Sequence, residues 1–403
     1  MYTKMNEVKV IRDAIHNYIH IEYEIIWKCI NAREFQRLRR IHQLGTTYQV
    51  YPSAEHSRFT HSLGVYEIVR RMLNEVEDLN EAVDEEEKII VLLAALLHDV
   101  GHGPFSHAFE AISGQHHEIM TQQILMGDSE LFNILISYDD TLPQKIIQVL
   151  NHSYPNKLLT QLISSQLDAD RMDYLLRDAY FTGTRYGDFD FERILRTMKV
   201  KNDKLLVKES GVHAVEDYIM ARYHMYWQVY YHPVSRSYEA MVLLLFRRMR
   251  EVYQIHAEYL SEVKMFLPYL KQEKISNQDH YFLDESSLQY GFHLLSQGID
   301  PILKDLANRL LKRDLFEYTD QLKHKEKICE KLIDKGYDMR YYYFEDQVRQ
   351  KIYQPYHVKD TPIWILSKTD EIKELSDISN IVHAITNSEE KIDDKLYFPK
   401  EIL

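Results

Sequence analysis

Cysteine is almost missing from this chain: Cys29 and Cys329 are the only two in 403 residues. At most one bridge can form, so a disulfide-stapled fold is excluded and a reducing compartment, the cytoplasm, is expected. Glycine (12) and proline (10) are also few for this length, which points to a mostly helical chain. Basic charge is in deficit, with 49 Lys and Arg against 62 Asp and Glu and a net charge of −13. That balance argues against bulk binding to nucleic-acid phosphates. A small anionic substrate stays compatible with it, because a few arginines can set the field inside one pocket. No apolar run reaches transmembrane length, and Met1–Glu7 holds no apolar signal core, so no membrane partner is expected.

What the chain does have is an apolar run, Ile89 to Leu97, that ends on His98-Asp99 and then Val100-Gly101-His102-Gly103-Pro104-Phe105-Ser106-His107. Read as a helix, the run is apolar all round and belongs in a core. Gly101, Gly103 and Pro104 break the helix one turn later. A histidine and a carboxylate at the end of a buried helix cost several kcal/mol unless they are paired. A satisfied cluster of ion pairs would meet that cost, and so would a metal ion. A metal would draw further ligands from elsewhere in the fold.

Along the chain, Val8–Asp13 reads as a short extended arm followed by a turn through His16-Asn17. A helix is expected from about Glu24 to Gly45, with Phe35, Leu38, Ile41 and Leu44 on its apolar face. Arg37, Arg39 and Arg40 fall on its other faces, as a solvated basic surface. Glu75 to Lys88 reads as a solvated acidic connection. Helices are expected at Ser62–Val76, 168–180 and 212–253, the last kinked or divided by Pro233. Residues 199–208 read as a small hairpin around Asn202-Asp203. Tyr341–Phe344 and Pro362–Leu366 read as strands, and Asp370–Asn387 as a closing helix. The fold class expected is mainly α, with three regions: an arm and helix (1–50), a helical core (51–255), and a smaller C-terminal α+β lobe for assembly (256–403).

His61 upstream and Asp170 downstream complete an ordered set with the central pair: His61, His98-Asp99, Asp170. By this set the chain resembles the HD-domain metal-dependent phosphohydrolases, and within them the deoxynucleoside triphosphate (dNTP) triphosphohydrolases that lack a SAM domain. The resemblance covers roughly the first two-thirds of the chain. It implies a divalent metal (Mg, Mn, Fe or Zn) on those four residues, and hydrolysis of a dNTP to deoxynucleoside and inorganic triphosphate. The metal set alone fits equally a nucleotidase, or a phosphodiesterase acting on a signalling nucleotide.

The resemblance further implies a proton-handling shell of His102, His107, Glu110 and His117, with glutamate standing where the family has aspartate. Arg58, Arg171, Tyr174 and Arg222 would hold the triphosphate, Arg171 standing where the vertebrate enzyme has lysine. Gln43, Leu44, Tyr174, Asp178 and Tyr230 would select the sugar. Lys9, Val10, Asn31, Gln36 and Arg39, with Arg193 and Lys208 as further phosphate contacts, match positions of an activating-nucleotide site at a subunit junction. The effector would be dGTP or a GTP-like nucleotide, and the assembly a homotetramer built from two dimers.

Overall fold

The computed structural model describes residues 2–271, 274–350, 362–388 and 391–403. Strands β1 (Lys4–Asp13) and β2 (Asn17–Tyr23) form an antiparallel hairpin, so the expected arm begins earlier and folds back on itself. Asp13 closes its turn, Oδ1 accepting from the main-chain amides of Ile15 and His16 at 2.9 Å each.

The single helix expected from Glu24 to Gly45 is two helices, α1 (Glu24–Asn31) and α2 (Arg33–Arg37), followed by a 3-10 turn at Leu38–Arg40. Ala32 between them is extended (φ −65°, ψ 146°), against its helix propensity. The break lets Phe35 and Leu38 both turn fully into the core. Arg37 corrects the expectation of a solvated face. It is buried, and its guanidinium donates to the carbonyls of His102 (2.7 Å) and Leu283 (2.6 Å). Arg39 and Arg40 are exposed as expected.

Helices α3 (Arg58–Glu75), α4 (Glu77–Ala82) and α5 (Glu85–Leu97) follow. The acidic tract is thus not a plain connection. It forms α4, and Asp84 starts α5 with a capping box to Glu87, where the first-turn acids meet the positive helix end. Ile89 to Leu97 are all buried. At about 1.5–3 kcal/mol for each large side chain, this run anchors the core. After α6 (His107–Ser113), α7 (His117–Met126) and α8 (Glu130–Ile136) come α9 (Leu142–Leu150), α10 (Lys157–Ile163) and α11 (Ala169–Thr182). Helices α3, α9 and α10 surround α5, and α11 lies against α3.

Helix α12 (Phe191–Thr197) leads into the hairpin β3 (Met198–Lys201) and β4 (Lys204–Lys208), whose turn has positive φ at Asn202 and Asp203. Helix α13 (Val212–Met225) passes through a π-helical turn at Tyr226–Tyr230, and Pro233 opens α14 (Pro233–Ile255), dividing the long helix as expected. Beyond α15 (Leu267–Leu270) and α16 (Asn277–Phe282), α17 (Glu285–Ser296) packs on α18 (Pro301–Lys312), which packs on α14.

Strand β5 (Glu317–Thr319) and helices α19 (Lys325–Asp334) and α20 (Met339–Tyr342) precede β6 (Phe344–Gln350). Tyr341 and Tyr342 are therefore helical, not strand, because Asp338 caps a helix there by accepting from the Arg340 amide. The 370–387 segment is not one helix. Strands β7 (Trp364–Leu366) and β8 (Ile372–Glu374) pair, and only then come α21 (Leu375–Ile378) and α22 (Asn380–Thr386). One sheet runs β3-β4-β7-β8, with β7 parallel to β4. Another runs β5-β9-β6, with β9 spanning Lys391–Phe398, and the β1–β2 hairpin is a sheet of its own. The fold is mainly α with small sheets, as expected. Among the described residues no helix is long and apolar enough to cross a membrane.

Candidate active site

Three helix ends meet at one point. Helix α3 presents His61 from its first turns, α5 ends into His98-Asp99, and α11 presents Asp170 from its own first turn. His61 Nε2 lies 3.0 Å from Asp170 Oδ1 and 3.8 Å from Asp99 Oδ2. His98 Nε2 lies 3.4 Å from Asp99 Oδ1 and 3.8 Å from Asp170 Oδ1. Both Nε2 atoms are buried and make no hydrogen bond among the described residues. The other nitrogen of each ring is tied back: His61 Nδ1 to Asp173 Oδ2 at 2.9 Å, and His98 Nδ1 to the Ala95 carbonyl at 2.8 Å. Each imidazole therefore turns its Nε2 to the common point. Two such nitrogens facing two carboxylates is a set that fits a divalent metal, and the ligand atoms of His61, His98 and Asp99 lie within 4.8 Å of one another.

The electrostatics agree. Burial opposes the charged form of His61, but the Asp170 and Asp173 carboxylates outweigh it and push the imidazole up to about 10, so a metal bound here would displace a proton that these carboxylates hold on Nε2. Burial also works against Asp99, yet Arg58 foremost, with His98 and His102, holds its carboxyl well below the usual range. Asp99 and Asp170 are both held below the ordinary carboxylate range, so two ionised carboxylates face the point where a cation would sit.

The segment after Asp99 is strained. A Cβ on Gly101 would stand 2.3 Å from both the His117 carbonyl oxygen and the Thr121 amide, so only glycine lets α7 approach this closely. Phe105 (φ 58°) and Ser106 (φ 49°) are both left-handed, an arrangement that costs of order 1–3 kcal/mol per residue. Three distant side chains hold it. Glu285 Oε1 accepts from the Phe105 amide at 3.1 Å, Arg37 donates to the His102 carbonyl, and Arg58 Nη2 donates to Ser106 Oγ at 2.8 Å. His107 opens α6 directly after this strained pair. Its side chain lies outside the described residues.

His102 and His117 stack with ring centroids 3.7 Å apart and planes 16° apart. His102 Nε2 lies 3.3 Å from Asp99 Oδ1, and the far end of the stack is bound by Glu110, which pairs with His117 Nδ1 and accepts from the His117 amide at 3.1 Å. Burial, with the Arg58 charge, holds the His102 imidazole well below its ordinary value, so it is neutral there. Asp99, His102, His117 and Glu110 form one continuous chain leading away from the metal-ligand set.

Of the cations expected on phosphate, each is already held by a polar partner. Arg58 pairs with Asp99, Arg171 Nη1 lies 2.9 Å from Asp168 Oδ2, and Arg222 Nη1 donates to Gln166 Oε1 at 2.6 Å. The expected sugar wall is contiguous in part. The Tyr230 hydroxyl donates to Asp178 Oδ2 at 2.9 Å, His56 Nε2 donates to Asp178 Oδ1 at 2.7 Å, and Tyr174 meets the Tyr230 ring edge-on at 6.0 Å. Gln43 joins His56 through its backbone amide at 2.9 Å, with Leu44 next in chain. A cavity of about 140 Å³ lined by His98, Asp99, His117 and Asp170 opens beside the metal-ligand set.

Residues 58–178 match the HD domain, and residues 189–335 match the HD associated region. Bacillus subtilis protein YwfO is 44% identical over 411 residues, spanning 99% of this chain and 94% of that protein. The chain belongs to the HD-domain phosphohydrolase family. The Dictyostelium discoideum deoxynucleoside triphosphate triphosphohydrolase SAMHD1 homolog is 31% identical over 280 residues, 66% of this HD-domain chain and 54% of the relative. A crystal structure of a phosphohydrolase from Bacteroides thetaiotaomicron superposes with a TM-score of 0.86 at 28% identity, covering 97% of this chain and all of the other.

The positions expected to bind an effector fall into separate groups in this HD-domain protein. Arg39 Nε donates to Gln36 Oε1 at 2.9 Å and its guanidinium lies 3.5 Å from the Phe59 ring centroid. Gln36 reaches the Ile30 carbonyl, beside Asn31 at the end of α1. Lys9 and Val10 lie on β1, both exposed. Arg193 donates to the Ser210 carbonyl at 2.8 Å, two residues beyond Lys208. Within one chain, and among the described residues, no hydrogen bond or ion pair joins Lys9 or Val10 to Gln36 or Arg39.

Sequence reasoning missed Asp173 and Arg177, although their spacing after Asp170 on a helix was a signal that more side chains share its face. It also missed His16, His56 and Glu285. No local pattern marks these, since their partners lie 157, 122 and 180 residues away.

Proposed function

We propose that this HD-domain protein hydrolyses dNTPs to deoxynucleoside and inorganic triphosphate. The observation that carries the reading is the juxtaposition of two imidazole Nε2 atoms and two carboxylates, with the His102–His117 stack on one side and three arginines near by. A divalent ion on His61, His98, Asp99 and Asp170 would polarise a phosphate oxygen and lower the pKa of a bound water. Arg58, Arg171 and Arg222 would exchange their present partners for phosphate oxygens, a gain because charge-assisted contacts to phosphate are strong. In hydrolysis the oxygen of water bonds to the α-phosphorus as its bond to the sugar O5′ breaks, and a proton given up by the water passes to the leaving O5′. His102 and His117, held by Glu110, are a route for that proton, and His107, which opens α6 between them in the chain, is the further candidate. Tyr230, fixed through Asp178 and His56, forms the wall against a 2′-hydroxyl.

Activation by dGTP or a GTP-like nucleotide belongs to the same reading. Lys9 and Val10 of one subunit would meet Asn31, Gln36 and Arg39 of another, with Arg193 and Lys208 on the phosphates, in a tetramer built from two dimers. The division of these residues into separate groups within one chain supports a site completed between chains.

The deciding experiment incubates purified protein with Mn²⁺ and each dNTP, ribonucleotides and cyclic dinucleotides, and resolves the products. Inorganic triphosphate from dNTPs is expected. Orthophosphate or pyrophosphate from dNTPs, or preferred turnover of a cyclic dinucleotide, would overturn this reading in favour of a nucleotidase or phosphodiesterase.

A further inference from the structure

We infer that the β1–β2 hairpin is a positioning element for the metal ligand His61, acting through His16 and Asp173. This rests on reading His61 as a ligand. The Asp173 carboxylate is wholly buried and has about four acceptor sites, and four donors occupy them. Oδ1 accepts from His16 Nε2 at 2.6 Å and Arg177 Nη2 at 2.9 Å. Oδ2 accepts from His61 Nδ1 at 2.9 Å and Arg177 Nε at 2.8 Å.

The circuit closes through the hairpin. Arg177 also binds both oxygens of Asp13, at 2.9 and 3.2 Å, and Asp13 caps the turn that presents His16. Space for it is made by Gly64, one turn after His61: a Cβ there would stand 1.8 Å from Asp173 Oδ1. A buried ion network of this kind is a poor source of stability, since an apolar replacement often does as well. What sets it apart is its output. The one donor outside the Arg177–Asp13–His16 ring is His61 Nδ1, and holding that N–H keeps Nε2 facing Asp170. Take away His16 and only Arg177 ties Asp173 to the hairpin, so the carboxylate, and the His61 ring it holds, is fixed less firmly.

The test is Mn²⁺ binding by metal-stripped, full-length protein, followed by the EPR signal of free Mn²⁺, with the thermal midpoint measured alongside. His16→Leu is expected to weaken Mn²⁺ binding about 10–100-fold, the loss typical of partners that orient a ligand. His16→Gln, whose amide can donate from nearly the same place, is expected to restore affinity close to the wild type. Gly64→Ala leaves every donor in place but displaces Asp173, and is expected to lose affinity as His16→Leu does. A folded His16→Leu or Gly64→Ala protein with unchanged Mn²⁺ affinity would overturn the inference even if its thermal midpoint fell, and so would failure of His16→Gln to restore binding. Wild-type protein that takes up no Mn²⁺ overturns the metal reading itself, and the inference with it.

Discussion

Asp170 Oδ1 stands 3.0 Å from His61 Nε2 and 3.8 Å from His98 Nε2, so one carboxylate oxygen faces both imidazoles that lack a hydrogen bond there. The two rings come from helices α3 and α5, and the carboxylate from α11. Nothing in the apolar core depends on Asp170, which sits at the pocket wall with its side chain about one-third exposed. A ligand role for Asp170 is therefore separable from folding.

Asp170→Ala is therefore expected to lose bound metal and turnover together while keeping the circular dichroism and thermal midpoint of the wild type. Partners that only orient a ligand are worth about 10–100-fold, so loss of a ligand should exceed about 100-fold in turnover. Metal content by mass spectrometry and dNTP turnover check it. Full activity in this variant would remove Asp170 from the ligand set.

Glu285 gives a pH prediction. Burial, only partly opposed by the amides of Phe105 and His42, pushes its carboxyl up to about 7. The folded chain then holds a proton that the unfolded chain has released, in the window between about pH 4.5 and 7. Stability falls as pH rises through that window, by up to about 3 kcal/mol from this group, and no further above it. Glu285→Gln keeps an acceptor for both amides and cannot ionise. Its stability relative to wild type is expected to grow from pH 5 to pH 7 and then level off, read by urea unfolding at each pH. Parallel curves for the two proteins would show that Glu285 does not titrate in this range.

Arg39 bears on regulation. Its guanidinium stacks on Phe59 and holds Gln36, but it is exposed and serves no core contact besides. Arg39→Ala is expected to abolish activation by a second nucleotide while leaving Mn²⁺ binding and basal dNTP turnover in place. Coupling between sites is typically about 1–3 kcal/mol, so the lost activation should be roughly 5–150-fold. Sedimentation should show the wild type, and not the variant, moving to a larger species with nucleotide. An activation curve unchanged in the variant would leave Arg39 as a surface cation.

Local spacing was enough for a good deal. The unbroken run Ile89 to Leu97, with His98-Asp99 at its end and glycines after it, foretold a buried helix stopping at a polar cluster, because helix burial and helix breaking are written in neighbouring residues. The same holds for the division at Pro233, the hairpin at Asn202-Asp203 and the mainly α class. What only the tertiary structure decided is set by partners far away in the chain. Ala32 is extended because Phe35 and Leu38 gain the core by it. Arg37 is buried because carbonyls 65 and 246 residues on accept its protons. Residues 372–374 are strand because β7 offers a ladder to pair with. His16, His56 and Glu285 carry no mark in sequence for the same reason: a carboxylate or imidazole acquires its role from what is buried against it, and that is known only once the chain has folded.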